Sequence, residues 1–198
     1  MKKENKKTQT RLTELETELK RVDHNTRFRK LLRSTIYTLI VVAAAAVLVA
    51  VILLPVLRIY GNSMTPTLNE GEIVVSIKNA SIGQGDVVAV YYGSKLLVKR
   101  CIATAGQWVD IDEAGNVYVY NDTKGDPLEE PYVMEKAKGD CNITLPYQVP
   151  DHCIFVMGDH RATSADSRRA EIGCIDLDNI VGKIVFCVWP FGAFGTVD

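Results

Sequence analysis

From residue 34 to residue 57 this chain carries no charged side chain, and residues 36–57 form an apolar run dominated by Leu, Ile, Val and Ala. Twenty-two residues of helix, at a rise of 1.5 Å each, reach roughly 33 Å, enough to cross the hydrocarbon core of a bilayer. Pro55 stands near the end of the run, where a helix break costs little. Residues 43–46 contain the Ala-x-Ala spacing of a cleavable secretory signal, which is the competing reading. The run is too long for the apolar part of such a signal, however, and it continues for eleven residues past Ala46. A retained membrane anchor is therefore expected, dividing the chain into a tail of residues 1–33, a transmembrane helix of residues 34–57 and a domain of residues 58–198. The last segment, about 140 residues, is long enough for one domain with its own core.

Charge distribution orients the anchor. The tail carries eleven Lys and Arg against five Asp and Glu, with Arg27, Arg29, Lys30 and Arg33 closest to the span. On the far side only Arg58 is near. Lys and Arg accumulate on cytoplasmic flanks, so the tail is expected in the cytoplasm and the large domain on the extracytoplasmic side of a single-pass cell-membrane protein. A net charge of −1 provides no pull toward nucleic acid. Within the tail, Leu12, Leu15, Leu19 and Val22 share one helical face, consistent with a short amphipathic helix lying on the anionic membrane surface.

Beyond the span the pattern changes to β. Residues 73–77, 86–92, 95–103, 108–111, 117–121, 154–157 and 180–189 are rich in Val, Ile and aromatic side chains and are separated by turn signals. Gly93-Ser94 between two such runs predicts a two-residue hairpin with glycine first. No later segment keeps a helical period for three turns, so a mainly β, antiparallel domain is expected. Residues 122–150, with four prolines and many charges, read as inserted loops. The five cysteines, at 101, 141, 153, 174 and 187, show no CxxC or Cys/His spacing, which argues against zinc. Cys101 and Cys187 suit buried strand positions, and a Cys141–Cys153 disulfide stays open.

Three short stretches carry chemistry. In Gly61-Asn62-Ser63-Met64-Thr65-Pro66-Thr67, Gly61 permits a tight backbone and Pro66 restricts Thr65, a combination that fixes a serine hydroxyl and an amide N–H in a rigid turn. A serine in a loop is by itself no evidence of catalysis. Lys99 is the sharper anomaly: with Arg100 it interrupts a strand that is largely apolar on both faces, so at least one of the two cations is expected away from water. On pattern alone a surface strand end remains the alternative. Near pH 7.5 roughly one free lysine in a thousand is neutral, but burial disfavours the ammonium and makes the amine a usable base. The third stretch, residues 158–168, reads as a polar loop.

Together these stretches resemble the type I signal peptidases, with a match covering nearly all of residues 58–190. Ser63, Met64, Pro66 and Thr67 match the family's Ser-Met-x-Pro-Thr, and Lys99-Arg100 its Lys-Arg pair. Residues 158–168 align with Gly-Asp-Asn-x-x-x-Ser-x-Asp-Ser-Arg, with His160 in place of the usual Asn. Gln107 similarly stands where the family has Asp. The resemblance implies a signal-peptidase-like β catalytic domain with Ser63 as nucleophile, Lys99 as general base and Ser164 orienting the lysine amine. It also implies Asp159, Asp166 and Arg168 as an ion-pair scaffold and the Ser63 backbone N–H as oxyanion donor, Gly61 standing where some members have a second serine. The implied substrates are secretory preproteins with small residues before the cleavage site, met at the membrane lipid without metal or cofactor.

His160 is the alternative base. Self-cleaving SOS repressors share a Ser/Lys dyad but need a helix-turn-helix, for which this tail is too short. A silent binding domain would be expected to have lost Ser63 or Lys99.

Overall fold

The computed structural model describes the backbone of residues 2–197 and the side chains of residues 27–197. The tail stripe Leu12, Leu15, Leu19 and Val22 lies outside the described side chains. Two compact units divide the chain, residues 1–51 and 52–198.

The first unit is one helix, α1, whose full span is Lys2–Leu53. Its segment Arg27–Leu53 is long and apolar enough to cross a membrane, with mean hydropathy reaching 2.9. The helix stops at Leu53, four residues short of the expected end. Proline disfavours helical backbone in the residue before it, so the break falls ahead of Pro55, and the next three residues become strand β1 (Val56–Arg58).

The second unit is mainly β, as expected. After β1 come β2 (Ile73–Ile77), β3 (Val87–Tyr92), β4 (Lys95–Thr104), β5 (Trp108–Ile111) and β6 (Val117–Tyr120). They are followed by β7 (Tyr147–Gln148), β8 (Cys153–Met157), β9 (Ile175–Asp176), β10 (Ile180–Trp189) and β11 (Gly195–Thr196). Every pairing is antiparallel. The larger sheet runs β1-β2-β10-β3-β4-β8-β9 with β11 beside β10, and β6-β5-β7 forms a smaller one.

The β3–β4 hairpin closes at Tyr92↔Lys95 around Gly93-Ser94. Gly93 has φ 57, the left-handed value that opens such a turn and that glycine adopts without a Cβ penalty. Alternation along the hairpin divides the core: Val87, Ala89 and Val98 pack in one apolar cluster, Val88, Val90, Leu97 and Cys101 in another. Lys99 and Arg100 therefore leave β4 on opposite faces. A third cluster, built on Val109, Val117, Phe155 and Met157, lies between the smaller sheet and β8.

Two strand edges remain open near the start of this unit. β1 ends the larger sheet, and β4 pairs with β8 only from Arg100 onward. The first half of β4 thus has β3 on one side and, among the described residues, no strand on the other.

Candidate active site

Ser63 lies in a turn whose backbone is stapled from within. Thr65 donates its N–H and its Oγ1 to the Asn62 carbonyl at 3.2 and 2.8 Å, and Leu68 N–H returns to Met64 O at 2.9 Å. Met64 and Leu68 are buried in the first cluster and pin the turn to the sheet. Gly61, at φ 77, supplies the left-handed residue that lets the chain turn into Ser63. The Ser63 carbonyl accepts from His160 N–H at 3.1 Å, tying this turn to residues 158–168. Ser63 N–H meets no acceptor among the described residues.

Lys99 Nζ donates to Ser63 Oγ at 2.7 Å. The lysine is 3% exposed, and its removal from water outweighs the attraction of Asp166, the next largest influence, lowering its pKa from 10.5 to about 8. Arg168 pushes it the same way and Asp159 opposes. At pH 7.5 a pKa near 8 leaves roughly a quarter of the amine neutral, some 200 times the fraction in a free lysine. A hydroxyl within hydrogen-bond reach of an amine that is substantially neutral near pH 8 meets the geometric and protonic requirements of a nucleophile–base pair.

Burial claims both adjacent cations, beyond the one expected. Arg100 is 1% exposed and forks onto Asp159, Nε to Oδ1 at 2.9 Å and Nη2 to Oδ2 at 2.8 Å. Thr67 Oγ1 also donates to Asp159, and the Arg100 guanidinium lies 3.9 Å from the centroid of the Tyr132 ring. Arg168 forks onto Asp166 at 2.8 and 2.9 Å. Burial pushes the Asp166 carboxyl up, but Arg168 and the Gly158 N–H outweigh it and hold the pKa below the ordinary 3.8.

Ser164 is brought into the same region. Its Oγ is buried and meets no partner at hydrogen-bond geometry, although it still stabilises the Asp166 charge; the Lys99 amine is bonded to Ser63 instead. Gly158 fits between the two serines. A Cβ there would come within 2.5 Å of the Ser63 carbonyl oxygen and collide with the Ser164 side chain. His160 turns its Nδ1 to Thr163 Oγ1 at 2.7 Å, and none of its ring hydrogen bonds reaches Ser63. Gln107 accepts from Thr104 N–H at 2.8 Å, a local turn contact.

Residues 122–150 contribute more than inserted loops. Glu130 pairs with Arg161 with both side chains fully buried, at 3.0 Å between Nη1 and Oε2. Arg168 also donates to the carbonyls of Lys138 and Arg161, each at 2.8 Å. Sequence reasoning missed Glu130, Tyr132 and Arg161, which no local spacing marks.

A groove of about 610 Å³ leads to the pair, lined by residues 56–61, Ser63 and Met64 on one side and by Lys95 to Lys99 on the other. These are the two open strand edges. Its walls include Val56, Leu57, Ile59, Leu96 and Val98. Elsewhere, His152, Asp176 and Asp178 bring one ligand-capable atom each within 4.8 Å of one another, at partly or fully exposed positions. All five cysteines are unpaired, so Cys141 and Cys153 form no disulfide in this structure.

Over much of its length the chain is similar to known proteins. The family model described as "Signal peptidase, peptidase S26" matches residues 32–189. Signal peptidase IB of Staphylococcus aureus strain COL is 36% identical over 158 aligned residues, covering 69% of this chain and 78% of that protein. Signal peptidase I of Bacillus caldolyticus is 32% identical over 146, covering 68% and 79%. A solved signal peptidase I from Enterococcus faecalis V583 is 22% identical with TM-score 0.41, covering 52% of this chain and 97% of that one.

Proposed function

As the chain belongs to the signal peptidases of family S26, we propose that it is a membrane-anchored serine endopeptidase that removes N-terminal signal peptides from exported preproteins through a Ser63/Lys99 dyad. The observation that carries this reading is the 2.7 Å contact between Ser63 Oγ and a lysine amine whose pKa lies near 8. The neutral Lys99 amine takes the proton as Ser63 Oγ attacks the scissile carbonyl. The oxyanion that forms is met by the Ser63 N–H. Lys99, now an ammonium, returns the proton to the leaving amine as the C–N bond breaks, and the acyl-enzyme remains. A water then gives its proton to Lys99 and attacks the ester, and collapse of the second oxyanion returns that proton to Ser63 Oγ.

A base of this kind needs no carboxylate to select a tautomer, unlike the histidine of a triad. It needs partners that hold the nitrogen, and the buried Ser164 hydroxyl supplies one as the amine moves off Ser63. Asp159, Asp166 and Arg168 keep the loop in place through paired, neutralised charges.

The signal peptide enters the apolar groove as an extended strand, hydrogen-bonded to the open edges of β1 and β4. Small residues at the first and third positions before the cut place their side chains on the same face of that strand. Segment Arg27–Leu53 is the anchor, with the basic tail cytoplasmic and the catalytic unit extracytoplasmic. Trp189, Phe191 and Phe194 are exposed, and a cluster of exposed aromatic rings suits contact with interfacial lipid. Incubating the detergent-solubilised chain with a labelled preprotein tests the reading. One cut at the signal junction, absent with Ser63→Ala, is expected; an uncut preprotein, or cutting that survives Ser63→Ala, contradicts it.

A further inference from the structure

A second cavity, about 240 Å³, is lined by Thr65, Met134, Glu135, Asp159, His160, Arg161 and Ala162 and shares no residue with the apolar groove. Thr65 stands two residues beyond the nucleophile, and His160 donates its N–H to the Ser63 carbonyl. The turn Ser63-Met64-Thr65 therefore borders both: Ser63 and Met64 line the groove, and Thr65 lines this cavity. For a peptide lying across Ser63 with its apolar part in the groove, the second cavity is a neighbouring recess that can take the residues after the scissile bond. Thr65 is two residues from Ser63, at most about 7 Å along extended backbone, and an extended substrate advances about 3.3 Å per residue, so its second or third residue past the cut spans that distance.

The charges lining this cavity do not cancel. Asp159 is neutralised by Arg100, and Arg161 by Glu130. Glu135 is exposed and has no ion pair or hydrogen bond among the described residues, although it belongs to the segment that supplies Glu130 to the loop. A single open carboxylate beside the exposed thioether of Met134 offers a partner for a long basic side chain: charge for the head, apolar surface for the stem.

We propose that this cavity is the subsite for the mature part of the substrate, and that Glu135 selects Lys or Arg over Asp or Glu at the second or third residue after the cut. The inference rests on the reading of Ser63 as the nucleophile of an endopeptidase. An exposed ion pair changes affinity by a factor of about 1.4 to 5, and the like-charge pair opposes by a similar factor. The ratio of kcat/KM for Lys against Glu at the favoured position is thus expected to be roughly fivefold, and to shrink as salt screens the pair.

The experiment uses full-length protein in detergent and one preprotein with Lys, Ala or Glu at each of the first three positions after the cut. Cleavage products are counted by mass spectrometry for wild type, Glu135→Gln and Glu135→Lys. Each variant's Lys/Glu ratio is internally normalised, so a change in the folded fraction does not enter it. Expected is a wild-type ratio above one at the second or third position, near one in Glu135→Gln and inverted in Glu135→Lys. A wild-type enzyme that cuts correctly with equal ratios in all three proteins overturns the subsite alone. Absence of any cut by wild type overturns the endopeptidase reading and the subsite with it.

Discussion

Replacing Lys99 by Met should abolish cleavage and make the protein more stable near neutral pH. The lysine is 3% exposed, and its pKa falls from 10.5 to about 8, chiefly because burial penalises the ammonium. At about 1.4 kcal/mol per pKa unit, that drop means the folded state bears a cost of about 3 kcal/mol below pH 8. Between pH 8 and 10.5 the unfolded chain binds more protons than the folded one, so stability rises with pH and the cost fades to about 1 kcal/mol at pH 10. Methionine fills nearly the same volume without a charge, while the lost bond to Ser63 takes back about 1 kcal/mol. Urea unfolding of the detergent-solubilised chain, followed by Trp108 and Trp189 fluorescence, should find Lys99→Met about 2 kcal/mol more stable at pH 7. By pH 10 that advantage should vanish. Wild type and variant running parallel from pH 7 to 10 would refute the buried, proton-shedding lysine.

Gly158→Ala should fold but lose cleavage by about 10²-fold or more, because the added methyl forces the Ser63 carbonyl and Ser164 apart; circular dichroism with turnover checks it. Ser164→Ala should cut about 10²-fold more slowly with an intact fold, and wild-type turnover in that variant would remove Ser164 from the site. Glu130→Ala strands the Arg161 guanidinium in the interior and should cost about 3–5 kcal/mol in urea unfolding. Protease added outside spheroplasts should digest residues 58–198 and spare an epitope placed before Arg33, whereas a protected catalytic unit would overturn the topology.

Much of the fold was legible where a physical signal is local. Runs rich in Val, Ile and aromatic residues between turn signals located all seven longer strands, and Gly93-Ser94 marked the hairpin that carries Lys99. Strand β1 was hidden because Val56 and Leu57, at the end of a membrane-length run, look like more helix. Strands β7, β9 and β11 are two residues each, too short for any period. In the site, Ser63, Lys99 and residues 158–168 were recognisable as motifs. Glu130 was not, since it meets Arg161 across 31 residues of chain and only the folded loop brings them together. The depth of Arg100 was equally hidden, because alternation puts it on a different face from Lys99 but cannot say that both faces are covered.

The central claim is that a neutral Lys99 takes the proton from Ser63, and the pH dependence of preprotein cleavage under single-turnover conditions tests it most directly. The rate should climb with pH and level off with an apparent pKa of about 8. Lys99→Arg, which keeps the charge but offers no neutral amine near neutrality, should be as inactive as Ser63→Ala at every pH, while His160→Ala retains substantial activity. Normal cleavage by Lys99→Arg together with a dead His160→Ala would contradict the account and make His160 the base.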